Sequence, residues 1–189
     1  MKELSLHILD VLQNSIEAGA SKIDLLIEED LSADWMLIEI RDNGRGMSPD
    51  QIKKIFDPFY TTRKTRHIGL GLPLLQEACR RCEGDLTIRS KPGEGTTVQA
   101  TFRHSHLDRA PLGDLTPVLI AVLLAEHPVD WTYTHRVNGE EFQVDTAEIR
   151  QQLEGIPLTH PKVRHWLREL FVEGENSLAI KDPPLRATA

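Results

Sequence analysis

The chain has 189 residues, 40% of them hydrophobic and 27% charged, a mix that fills one core or one core with a modest extension. Lys and Arg number 22 against 29 Asp and Glu, a formal net charge of -7, which argues against a general nucleic-acid or anionic-membrane binder, because phosphate surfaces demand basic ones. The longest apolar run, Val118 to Ala125, is far too short to span a membrane, and the start of the chain, with Lys2 and Glu3, has no signal-peptide core, so a cytoplasmic protein without membrane insertion is predicted.

In chain order, Glu3 to Ala18 is predicted helical. Leu4, Ile8, Leu12 and Ile16 repeat at helical spacing, Glu3, His7, Asp10, Asn14 and Glu17 form a polar stripe, and Gly19 closes the helix. Lys22 to Glu28 and Trp35 to Arg41 read as strands with an acidic turn between them. Ser48 caps a short helix with Pro49 in its first turn. Phe56 to Ile68 has no period, carries Arg63, Lys64, Arg66 and His67, and reads as a loop. Gly71 to Glu83 returns to helix, with Leu72, Leu75, Cys79 and Cys82 on one face and Gly84 closing it. The two cysteines are spaced as small core residues; a redox or metal role is the alternative, but a single pair does not close a four-ligand zinc site. Asp85 to Ser90 and Thr96 to Phe102 are strands joined by a turn over Lys91-Pro92-Gly93-Glu94-Gly95.

The character changes after Arg103. His104 to Asp114 is polar and loop-like, and Leu115 to Glu126 is a strongly apolar helix. Trp131 to Val137 and Glu140 to Asp145 flank Asn138-Gly139, a strong hairpin signal. Thr146 to Leu153 and Pro161 to Phe171 are two further helices, and Glu173 to Ala189 reads as a frayed tail. His104, His106 and Asp108 alternate as metal ligands sometimes do, but loop histidines without a clear fourth ligand are more often solvated or hydrogen-bonded.

Four short motifs carry chemistry. On the first helix, Asp10 and Asn14 lie four apart and share a face, where a carboxylate and an amide suit a hydrated magnesium ion; a solvated helix face is the plain alternative. Asp42-Asn43-Gly44-Arg45-Gly46-Met47 ends a strand. Its carboxylate can accept a hydrogen bond from the exocyclic amine of adenine, and its glycines let the backbone bend beneath a flat ring, unless it is a simple Asn-Gly turn. Gly69-Leu70-Gly71-Leu72-Pro73 opens a helix whose free amides suit phosphates, with the basic cluster of Arg63, Lys64 and Arg66 just upstream. It is neither a Walker A loop nor a dinucleotide fingerprint. Gly93-Glu94-Gly95-Thr96-Thr97 lies in the last hairpin of this part, where a plain turn is the better reading of the motif alone.

In this order the motifs resemble the GHKL superfamily of histidine kinases, gyrase-type topoisomerases, MutL proteins, heat-shock chaperone ATPases and anti-sigma-factor kinases. The resemblance covers about Lys2 to Phe102. It implies the Bergerat fold, an α/β two-layer sandwich, with ATP and Mg²⁺ as cofactors. It casts Asn14 as magnesium ligand, Asp42 as adenine acceptor with Gly44, Gly46 and Met47 beside it, and Gly69, Leu70, Gly71 and Leu72 at the phosphates. Thr97 falls near the base, and Asp10 matches the position of a general base. Phe56-Asp57-Pro58-Phe59-Tyr60-Thr61-Thr62 is similar to the F box of histidine kinases, whereas Asn14-Ser15 with Ala18-Gly19-Ala20 is closer to MutL wording. The loop holding Arg63, Lys64 and Arg66 is expected to act as an ATP lid.

The expected organisation is an ATP-binding domain over residues 1–103, an extension packed on it over 104–172, and a flexible tail over 173–189. The helix pair and phosphoacceptor histidine that precede this domain in complete sensor kinases are not expected here, and His7 reads as site-lining or structural. The leading expectation is phosphoryl transfer to, or ATP-dependent regulation of, a separate partner protein. ATP hydrolysis that drives dimerisation, as in MutL or chaperones, and a non-catalytic nucleotide sensor are the rivals, and a homodimer is left open.

Overall fold

The fold follows from strand pairing and from which strand faces are apolar. The computed structural model describes residues 3–56, 71–123 and 129–179. The first helix, α1 (Leu4–Glu17), buries Leu4, Ile8, Val11 and Leu12. Strands β1 (Lys22–Asp30) and β2 (Trp35–Asp42) follow as an antiparallel pair. α2 (Pro49–Lys54) opens with a reciprocal capping box between Ser48 and Gln51. α3 (Gly71–Arg81) precedes the hairpin of β3 (Leu86–Lys91) and β4 (Gly95–Arg103). α4 (Thr116–Leu123), β5 (Asp130–Val137), β6 (Glu140–Asp145), α5 (Thr146–Gln152) and α6 (Pro161–Ala179) complete the chain.

The six strands form one sheet in the order β3-β4-β2-β1-β5-β6, antiparallel except for the parallel pair of β1 and β5. The hairpin after α4 therefore continues the same sheet from the side of β1. Residues paired across strands share a face. That rule puts Ile23, Leu25 and Ile27 with Met36, Ile38, Ile40 and Asp42, and with Thr96, Val98, Ala100 and Phe102. Trp131, Tyr133 and His135 continue the face. α1 and α3 pack over its middle, and the Phe171 ring of α6 stacks on Trp131 at 5.7 Å. The result is the two-layer α/β sandwich expected from the sequence.

Most boundaries shift from the reading of the sequence by a residue or two, and two of the differences change what a segment does. β1 continues to Asp30, so Glu29 belongs to a strand and not to a turn. α6 continues to Ala179, through residues read as a frayed tail. Gly174 looks like a helix breaker, yet a Cβ there would lie 2.2 Å from the Phe142 ring, so the glycine makes room for that ring inside a continuous helix. Leu178, one turn later, is buried. The rest of the predicted tail, residues 180–189, lies outside the described residues. No helix among the described residues is long and apolar enough to cross a membrane.

α5 is held at its start by Asp145, whose Oδ1 accepts from the amides of Ala147 at 2.8 Å and Glu148 at 3.3 Å. Asp145→Ala is expected to cost about 1 kcal/mol, read as a melting temperature lower by about 2–4 °C in a chain of this size. An unchanged melting temperature would show the cap to be idle.

Candidate functional site

The site is built where the end of β2 meets the C-terminal half of α1. Asp42 is the last residue of β2 and is buried. Its Oδ2 accepts from the buried Ser15 hydroxyl of α1 at 2.9 Å, and its Oδ1 accepts from the Gly44 amide at 2.8 Å. Each carboxylate oxygen has two acceptor sites, so one on each remains for a ligand donor. The loop after Asp42 is tied to α1, since the Arg45 amide donates to the Ala18 carbonyl and its guanidinium to the Glu17 carbonyl, both at 2.9 Å.

The β3–β4 turn locks onto the same loop. The Gly93 amide donates to the Arg45 carbonyl at 2.8 Å, and the Met47 amide donates to the Ser90 hydroxyl at 2.8 Å. Gly46 lies in this loop with φ +63°. Gly95 has φ +94°, and a Cβ there would lie 1.9 Å from the Asp42 carbonyl oxygen. Both the left-handed backbone and the contact require glycine, so this residue sets how closely the last hairpin approaches Asp42.

The strand register decides which threonine faces the site. Thr96 pairs with Asp42, and its hydroxyl is 2.8 Å from the Ser90 hydroxyl. Thr97 pairs with Arg41 and lies on the opposite face. The sequence reading placed Thr97 near the base; Thr96 is the residue that shares the face of Asp42. Counting strand alternation from Asp42 would have found it, given the pairing. Ser15 and Ser90 were likewise given no role from the sequence.

Asp10 and Asn14 lie one turn apart on α1, Asp10 half-buried and Asn14 exposed. Asp10 reaches the start of α3, where a Cβ on Gly71 would be 3.2 Å from its Oδ2. The carboxylate thus stands beside the N-terminus of an 11-residue helix, where unpaired amides favour anions. Leu72, next in α3, is partly buried and packs against the core. Arg63, Lys64, Arg66, Gly69 and Leu70, with the predicted lid beyond Phe56, lie outside the described residues.

These residues fit a hydrated magnesium ion. Asn14 and Asp10 offer oxygen donors on one face, and Mg²⁺ keeps several waters and shares substrate phosphates. Among the described residues no group of three or more His, Cys, Asp and Glu side chains is arranged to hold a metal ion, which includes His104, His106 and Asp108. His104 is instead bonded to Glu29 at 2.6 Å. Cys79 and Cys82 are buried free thiols, and burial pushes Cys79 up to about 12, which suits packing and not thiolate chemistry. His7 is buried and lines a small apolar cavity with Val11, Ile40, Leu75 and Val98. Burial holds its imidazole below its ordinary value, and its Nδ1 has no hydrogen-bond partner among the described residues.

Known proteins resemble this chain in sequence and in fold. The family model "Histidine kinase-, DNA gyrase B-, and HSP90-like ATPase" matches residues 2–106. The sensor histidine kinase YxdK of Bacillus subtilis (strain 168) is 34% identical over 106 residues, covering 53% of this chain and 33% of that protein. The signal transduction histidine-protein kinase AtoS of Escherichia coli (strain K12) is 38% identical over 91 residues, covering 48% of this chain and 15% of that protein. The chain thus spans a third or less of the length of these relatives. Among solved structures, the N-terminal domain of a DNA repair protein superposes with a TM-score of 0.52 at 16% identity, covering 76% of this chain and 52% of that one. This last likeness is one of fold.

Proposed function

Since the chain belongs to the histidine kinase-, DNA gyrase B- and HSP90-like ATPase family, we propose that it binds ATP with Mg²⁺ and transfers the terminal phosphoryl group to, or regulates, a separate partner protein. One observation carries the base end of this reading. The Asp42 carboxylate is buried, held by one donor on each oxygen and left with acceptor capacity toward the site. An adenine amine is a donor that such a carboxylate accepts, and burial makes the bond selective because an unpaired partner is costly there. Thr96 and Met47 flank the base on this reading.

Asn14 would hold the magnesium ion, which when bound neutralises charge on the phosphate oxygens. The amides at the start of α3 receive the phosphates, and Asp10 stands where a proton acceptor for the attacking hydroxyl or water is needed. The protein's contribution is then position and charge, as phosphoryl transfer generally requires. The kinase identities of the relatives support transfer over simple hydrolysis.

ATP labelled at the terminal phosphate tests the proposal, with the purified chain and with cell extract as a source of partners. Label on a protein is the expected result. Free phosphate alone would replace transfer with ATP hydrolysis, and bound but intact ATP would make the chain a nucleotide sensor. Absence of binding would overturn the reading altogether.

A further inference from the structure

Away from the nucleotide site, five polar side chains from four parts of the chain form a continuous hydrogen-bonded row. The Tyr133 hydroxyl of β5 donates to Glu175 Oε1 of α6 at 2.7 Å. Glu175 Oε2 is 2.8 Å from His135 Nδ1, and His135 Nε2 is 3.0 Å from Glu29 Oε1 of β1. Glu29 Oε2 is 2.6 Å from Nε2 of His104, in the segment after β4. The His135 side chain is 5% exposed, with a carboxylate on each of its ring nitrogens.

A neutral imidazole has one N–H and one lone pair, so between two carboxylates one nitrogen would set lone pair against lone pair. The imidazolium donates to both. We propose that this row is a proton-held clasp, in which the His135 imidazolium fastens α6 to β1 and loss of its proton loosens α6 from the sheet. Deprotonation would leave two carboxylates around a neutral ring in a largely buried place, an arrangement that like charge and desolvation both disfavour.

The balance of effects supports the geometry. Burial pushes His135 down, but its hydrogen bonds to Glu175 and Glu29 and their charges raise it to about 9. Burial likewise pushes Glu29 up, and its bonds to His135 and His104 outweigh this and hold it below its ordinary value. Tyr133 is driven well above its ordinary range by burial and by Glu175, so it stays a donor. No other titratable group faces His135 among the described contacts. Opposite it on β6 is Phe142, and the neighbouring Arg136 pairs with Glu141.

The folded value lies above the ordinary 6.5, so the clasp's contribution is full below about pH 6.5 and is lost as pH rises through about 9. The unfolding constant from urea titrations of the full chain should rise about 10²-fold between pH 6 and 10 from this group. His135→Gln should remove that rise. Trypsin cleavage after Lys162, Arg164 or Arg168, scaled to an unfolded peptide, should accelerate at alkaline pH in the unaltered chain and not in the variant. If His135→Gln does not fold, Glu175→Gln replaces it; one carboxylate fewer should move the inflexion to lower pH. An inflexion that persists in His135→Gln, stays in place in Glu175→Gln, or is missing from the unaltered chain would overturn the clasp.

Discussion

Asp10→Asn is expected to keep ATP binding within a few-fold and to lower turnover or transfer about 10²–10⁴-fold. The change is nearly isosteric, so the close fit against Gly71 at the start of α3 is kept. What is lost is the negative charge and the proton acceptor. Asp10 lies one turn before Asn14 on the same face of α1, beside the amides that receive the phosphates on the proposed reading. An aspartate is shorter than a glutamate, so on the proposed reading a bridging water would carry the proton to it. Calorimetry with ATP and magnesium, paired with the labelled-phosphate assay, separates the outcomes. Full turnover removes Asp10 from the mechanism, and loss of binding with turnover makes it part of the magnesium shell.

Asp42→Asn should weaken ATP binding by about 1–3 kcal/mol, which is about 5–150-fold in Kd. Asparagine keeps one acceptor oxygen and replaces the other with a donor. Ser15 and Gly44 each present a donor to Asp42, and on the proposed reading the adenine amine presents a third. Facing Gly44, the new NH₂ meets a donor; facing Ser15, whose hydroxyl also lies 3.3 Å from the Val11 carbonyl and can accept, it leaves a single carbonyl oxygen for the adenine amine. Calorimetry at fixed magnesium measures the difference, and unchanged affinity would end the assignment of Asp42 to the base.

Much of the sandwich was legible because it depends on local pattern. The spacing of Leu4, Ile8 and Leu12, the alternation in β2, and the Asn138-Gly139 turn each mark an element within a few residues. The motifs around Asn14, Asp42 and Gly71 were legible for another reason, since their order along the chain carries the family resemblance. What was not legible depends on partners distant in sequence. Thr96 and Thr97 are both small polar strand residues, and only the pairing of Thr96 with Asp42 decides between them. Gly174 reads as a stop unless Phe142 is known to press against it. Glu29 and Glu175 are unremarkable acids in the sequence, and their contact with His135 exists only because β1, β5 and α6 meet.

The parallel pairing of β1 with β5 also bears on how the chain is made. β1 pairs early with β2, but the partner of its other edge, Asp130 to Val137, is translated about a hundred residues later. At ribosomal rates of about 5–20 residues per second, that edge stays bare for on the order of 5–20 s. Ile23, Leu25 and Ile27 wait through that interval on a strand whose backbone donors and acceptors are open to any extended neighbour. The nascent polypeptide is therefore open to wrong strand partners along that edge until β5 arrives.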